Sequence, residues 1–241
     1  MAATSLTVTP PPFADDLRRV VRHAGIGAAS GGLVGLVVGG ILGRIAMFVL
    51  RVTTGDSITG VTSDDGFEIG RVTLAGTLNL MFAYSLAGTA LGLVYAAART
   101  FLPRRGRVAA WTAVCAAVGG SVFVHADGVD YLLLDPLWLA VAFFVALPGL
   151  AGLGTALVVE RLETSGGAAR WHLVAAAVGT VALAAIPAAV AAALLVLGRV
   201  PVLRRLPDSR LVRTLAVVVV LVAVVVTGAD LVAETRVILS R

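Results

Sequence analysis

Few side chains in this sequence could do chemistry. The two whose setting would make it unusual are Arg44 and Asp230, each within a long apolar stretch. An ionisable group inside a membrane span is costly and points to an ion pathway, a proton relay or a polar partner. Arg44 stands at or just inside one boundary of the first apolar run, with Arg51 seven residues later on the same helical face. It either pairs with the acidic loop that follows, through Asp65 or Glu68, or reaches up to the lipid headgroups. Asp230 is followed one turn later by Glu234, and like charges at that spacing repel mildly. The pair reads as the solvated end of a helix or, if buried, as a group that handles a proton or cation.

Two acidic clusters lie between apolar runs. Asp64, Asp65 and Glu68 form a candidate outer acidic loop, and His125, Asp127, Asp130 and Asp135 form a second. Oxygen ligands of this kind suit calcium or magnesium, and His-x-Asp suits a transition metal. Such residues gather in any exposed turn, so no metal site is assigned. Ser63-Asp64-Asp65-Gly66 hints at a calcium loop, but aligning its glycine puts Val61 and Val72 at the first and last ligand positions.

The missing residues exclude more. All nineteen basic residues are arginine. Without lysine there is no phosphate-loop lysine, no Schiff base and no Ser–Lys dyad. The single Cys115 rules out an intrachain disulfide and a cysteine-rich zinc site, and it is expected to pack as a small hydrophobe. There is no G-x-S-x-G elbow and no H-E-x-x-H, and His23, His125 and His172 all lie at the ends of apolar runs. The expectation is a non-enzyme with no catalytic residue, cofactor or metal.

The elements that position these residues are membrane helices. Hydrophobic residues make up 59% of the chain and charged residues 14%, against about 25% charged in a soluble domain. Mean hydropathy is +0.98. Uncharged stretches run His23–Gly43, Val72–Ala98, Val108–Ala126, Pro136–Val159, Trp171–Gly198 and Thr214–Ala229. A span needs roughly 20 mostly apolar residues. The expected fold is an all-α polytopic bundle with six spans, at about residues 23–50, 72–98, 108–126, 136–159, 171–198 and 214–233. Residues 1–22 are expected as a cytoplasmic, disordered and basic tail, and residues 23–241 as one transmembrane domain.

The first span carries Gly27, Gly31, Gly35, Gly39 and Gly43, a run of G-x-x-x-G steps. In water each glycine would cost a helix about 1 kcal/mol relative to alanine. In lipid the run makes a bare groove against which another helix packs closely. The occupant is either a partner helix or the protein's own second or fourth span, where Gly149, Gly152 and Gly154 also cluster. In the second span Thr73, Thr77, Asn79, Tyr84, Ser85 and Thr89 give a polar lining suited to hydrogen bonds between helices.

Orientation contains a conflict. With the N-terminus in the cytoplasm, Arg99, Arg104, Arg105 and Arg107 face inward and the acidic loops outward, as the positive-inside rule asks. The same scheme puts Arg199, Arg204, Arg205, Arg210 and Arg213 outside. Either they are tolerated there, or the Pro187-interrupted stretch Trp171–Gly198 does not cross fully. In the first case Arg44 and Asp230 lie near opposite faces of the membrane. In the second they share one.

The segment Ser63-Asp-Asp-Gly-Phe-Glu-Ile-Gly-Arg71, leading into Thr73-Leu-Ala-Gly-Thr77, resembles uncharacterised multi-pass membrane proteins of actinobacteria. Those proteins share a Gly-rich first helix followed by an R-x-A-M pattern, here Arg44-Ile-Ala-Met47. The resemblance covers residues 30–100 and implies the plasma membrane of a GC-rich bacterium, but no activity. The expected function is a non-enzymatic membrane component acting through helix–helix association with itself or another membrane protein. The alternative is a small transporter or channel for a cation or proton. Its surroundings are the lipid bilayer, with no nucleic acid as partner.

Overall fold

The computed structural model describes residues 13–55, 60, 73–164 and 210–240, and every regular element among them is helical. Helix α1 (Phe13–Val34) continues through a π-helical segment (Gly35–Leu42) into α2 (Gly43–Thr54). There follow α3 (Leu74–Ala98), α4 (Arg107–Phe123), the short α5 (Val129–Leu133), α6 (Leu137–Thr164) and α7 (Arg210–Leu239). Four stretches are long and apolar enough to cross a membrane: Arg19–Thr54, Leu74–Ala98, Leu137–Thr164 and Arg210–Leu239. The chain is a polytopic helical membrane protein.

The third expected span is the shorter α4, whose 17 residues reach about 25 Å, at the lower limit for a crossing. The fifth, Trp171–Gly198, lies outside the described residues, as do Asp64, Asp65 and Glu68. At the other boundary the helix starts at Phe13, so residues 13–22 of the expected tail are the first turns of α1. Asp15 and Asp16 fall at its start, where the helix dipole favours acids, and no breaker separates them from the apolar run.

α1–α2, α3, α4 and α6 alternate in direction, which gives the bundle a His23 end and a Thr54 end. At the His23 end one core gathers Ile26, Tyr95, Trp111, Cys115, Ala156 and Val159. At the Thr54 end a second gathers Leu50, Val124, Tyr131, Leu134, Ala140, Val141 and Ile238. There the Thr54 hydroxyl accepts the Asp135 backbone N–H at 2.9 Å, tying the end of α2 to the turn before α6.

The direction of α7 differs from that expected. A methyl on Gly120 would lie 2.9 Å from Leu231. The Glu234 carboxylate accepts the Ala126 N–H at 2.7 Å, and Ile238 is buried beside Val124 and Leu50. Residue numbers rise together on α4 and α7, so the two helices are parallel and α7 finishes at the Thr54 end. At 1.5 Å per residue, Arg210 extends about 12 Å past the level of Arg107. Six alternating spans would make α7 finish at the His23 end. In the described residues α6 ends and α7 begins at that same end.

Single cysteines in a Cys115→Ala background test this arrangement. Pro103→Cys and Ser209→Cys should react with an impermeant maleimide from the same side of intact cells, and Ser240→Cys only from the other. Labelling of positions 209 and 240 from one side would overturn the parallel arrangement.

Candidate functional site

The glycines of α1 meet the glycines of α3. A Cβ on Gly27 would stand 2.6 Å from the Gly92 carbonyl oxygen, and one on Gly31 would collide with the Gly88 carbonyl. The reverse holds as well: a Cβ on Gly88 or Gly92 would strike the carbonyl of Gly31 or Gly27. Gly35 lies against the backbone of Tyr84 and Gly88. Each four-residue step forward on α1 is therefore a four-residue step back on α3, in antiparallel register. At this approach Cα–H groups reach carbonyls of the opposite helix, and each such contact contributes about 0.5–1 kcal/mol. The polar residues of α3 add one cross-link here, from the Ser85 hydroxyl to the Gly32 carbonyl at 3.3 Å. Thr73 instead caps α3 by accepting the Gly76 N–H. Asn79 is exposed.

The seam does not extend through all five glycines. Gly39 lies against the Tyr84 ring, and Gly43 meets only the Val38 carbonyl at 3.9 Å. Four residues overshoot an α-helical turn by about 40°, so a four-residue repeat swings around its helix. The wider π-helical turn takes part of that swing back. Gly35 and Gly39 stay against α3, and together with Gly43 they line one pocket that Leu147, Pro148 and Ala151 of α6 also line. The α6 glycines serve other neighbours: Gly149 faces Ala116, Gly152 faces Cys115, and Gly154 faces Val34. Cys115 is buried in that contact as a small hydrophobe.

Among the described residues, one polar constellation was not singled out by sequence reading. At the His23 end, Glu160 accepts Arg99 Nε–H at 3.1 Å, Arg99 Nη2–H at 3.3 Å and the Tyr95 hydroxyl at 2.9 Å. Arg107 also pairs with Glu160. One turn on, Glu163 pairs with Arg99 Nη1 at 3.2 Å and with His23 Nε2 at 3.3 Å. The Arg99, Arg107, Glu160 and Glu163 side chains are each less than one-fifth exposed. Tyr95 is fully buried, with its ring 5.3 Å from that of Trp111. Four helices thus supply two carboxylates and their donors, and the arrangement clamps α1, α3, α4 and α6 together. Each residue alone looked like a loop or boundary charge. The signal was the placement of Arg99, Arg107 and Glu160 at the same ends of consecutive alternating helices.

The sequence-derived charges sit apart from this clamp. Arg44 is half-buried, with Nη2 next to Gly76 in the first turn of α3. The expected partners Asp65 and Glu68 lie outside the described residues. Asp230 is exposed on α7, on the flank of the side that meets α4, and Glu234 one turn later accepts the Ala126 N–H. Arg44 and Asp230 belong to the same half of the bundle, contrary to the plain six-span scheme. Among the described residues no group of three His, Cys, Asp or Glu is placed to hold a metal ion. No family model, curated protein or solved structure matches the chain.

Two substitutions test these contacts. Gly31→Leu drives a side chain into backbone that cannot yield, and should cost more than about 3 kcal/mol. Loss of the monodisperse folded peak in mild detergent is the expected readout, and a peak and melting temperature like the parent's would refute the seam. Glu160→Leu strands Arg99 and Arg107 and should cost about 3 kcal/mol. Melting in detergent should fall well below that of Arg105→Ala, which alters an exposed loop arginine.

Proposed function

We propose that the protein is a non-enzymatic component of the membrane that works by helix–helix association, with the outward face of α7 as the interface. The partner is a second copy of the chain or another membrane protein. The observation that carries this reading is Asp230, exposed on a face that otherwise presents Val219, Val222 and Val226, which are 65%, 54% and 62% exposed. Leu231, the next residue, packs over Gly120, three residues inside the end of α4. That puts Asp230 roughly 5 Å below the end of α4. A carboxylate facing lipid at the middle of a span costs about 2.5–3.5 kcal/mol, less toward the boundary, and a polar group on a second helix would offset part of it. The glycine groove no longer argues for a partner, because α3 fills it.

The alternative, a small transporter or channel for a cation or proton, needs Asp230 to face a path through the bundle, and Asp230 is exposed on the flank of α7. For location, Arg99, Arg104, Arg105 and Arg107 lie at the His23 end, and Arg210 opens α7 there. By the positive-inside rule this supports a cytoplasmic N-terminus in a bacterial plasma membrane.

Copies labelled with donor and acceptor dyes and mixed in liposomes test the association. Asp230→Val should lower the apparent affinity at least about tenfold, equivalent to 1.4 kcal/mol, with little change in melting temperature. If copies do not transfer energy, a cysteine at Val226 should cross-link to another protein in native membranes, and Asp230→Val should abolish that band. Transfer and cross-linking both insensitive to Asp230 would sink the proposal.

A further inference from the structure

Between the two cores lies a cavity of about 250 Å³. Gly35, Gly39 and Gly43 form one wall, Tyr84, Gly88 and Leu91 of α3 a second, and Leu147, Pro148 and Ala151 of α6 a third. Phe123, Phe143 and Phe144 close around it toward the Thr54 end, where Leu50 is the last lining residue of α2. The cavity exists because side chains are missing from it. Gly35 and Gly39 of the π-helical segment edge it while packing on α3, and Gly43, just after that segment, has open space where a side chain would be.

The shape restricts the occupant. From Gly35 to Leu50 the lining follows the helix axis for up to about 20 Å, so this is a slot parallel to the spans and not a round chamber. Its lining has no charged residue, and Tyr84 supplies the one side-chain hydroxyl. Water needs two to four polar partners and would find too few here. A polar ring or headgroup would meet the same shortage. A second helix, about 10 Å across, does not fit. A methylene fills about as much space as water, roughly 30 Å³, so the slot takes a run of about eight.

We infer that this slot binds one acyl chain of a membrane phospholipid. Its lining comes from the interiors of three membrane-length helices, a depth at which the surrounding solvent is itself acyl chain. No hydrophobic driving force is needed, because chain and slot are equally apolar. The gain is dispersion: an empty slot leaves its lining without partner atoms on one side, and a chain supplies them. The bound chain acts as packing between the two cores.

The test uses the full chain reconstituted in nanodiscs of phosphatidylglycerol and phosphatidylethanolamine, with a trace of phospholipid carrying a diazirine near the end of one chain. After irradiation, adducts are mapped by peptide mass spectrometry. Adducts are expected at Met47, Tyr84 and Leu147 in the slot, and separately at Val222 and Val226 on the exposed face of α7. Gly43→Leu places a side chain in the open space and should lower the slot adducts at least fivefold, leaving those on α7 unchanged. Ala151→Leu blocks the slot from the α6 wall and serves as the independent variant if Gly43→Leu disturbs the fold. Absence of slot adducts in the parent protein, or slot adducts undiminished in both variants, would overturn the inference.

Discussion

The close approach of α1 and α3 is the constraint on which the rest depends. Glycine faces glycine in both directions, so neither helix can rotate or slide without bringing a side chain into a backbone that cannot move. The register this fixes decides what meets at the end of the bundle. With Gly27 across from Gly92, the turn before Gly27 brings His23 level with the last turn of α3, where Tyr95 and Arg99 project. Glu163 then lies within reach of both His23 and Arg99, and Glu160 within reach of Tyr95, Arg99 and Arg107. The charge clamp is thus a consequence of the seam. Removing charged groups from water is costly unless they are well paired, and a fixed register makes four-helix pairing of this quality attainable.

The same repeat does a second job further along. Had the chain stayed α-helical, five glycines four apart would have wound around the helix and left no continuous face. Gly35 and Gly39 of the π-helical segment still close on α3, and Gly43, just beyond it, stays open. Gly31 cannot take a methyl group, whereas Gly43 has room for one. One sequence pattern therefore yields both a backbone-to-backbone contact and the wall of an apolar void.

Much of this was legible in the residues, and the parts that were not share a physical cause. Hydropathy placed the first, second, fourth and last spans well, because length and apolarity are local properties. The glycine face was visible, but α3 and α6 both offered small residues to fill it, and spacing does not choose between two such helices. The clamp stayed hidden because ion pairs between residues 61 and 53 positions apart leave no local pattern. Direction was hidden too, since an apolar helix reads the same up or down. Its one trace was the distribution of arginines, because Arg210 and Arg213 open α7 and an alternating scheme would put them outside. The start of α1 at Phe13 was missed because charged residues were read as tail, although a helix extends through them when nothing stops it.

The two ends of the bundle are held by different forces, and this bears on where it can respond to its surroundings. The His23 end combines the glycine seam with paired charges, and both are lost steeply with small displacements. Among the described residues, the contacts at the Thr54 end include apolar packing, a hydroxyl on a backbone amide, and the Glu234 carboxylate on another. Leu50 lines the slot and also belongs to the cluster that seats Ile238 of α7. Phe144 connects them again, lining the slot while its ring lies 6.1 Å from Phe123 and 5.7 Å from Tyr131. A chain entering or leaving the slot presses on the residues that seat the end of α7. The face carrying Asp230 is therefore mounted on a helix whose end is seated by residues that also wall the slot.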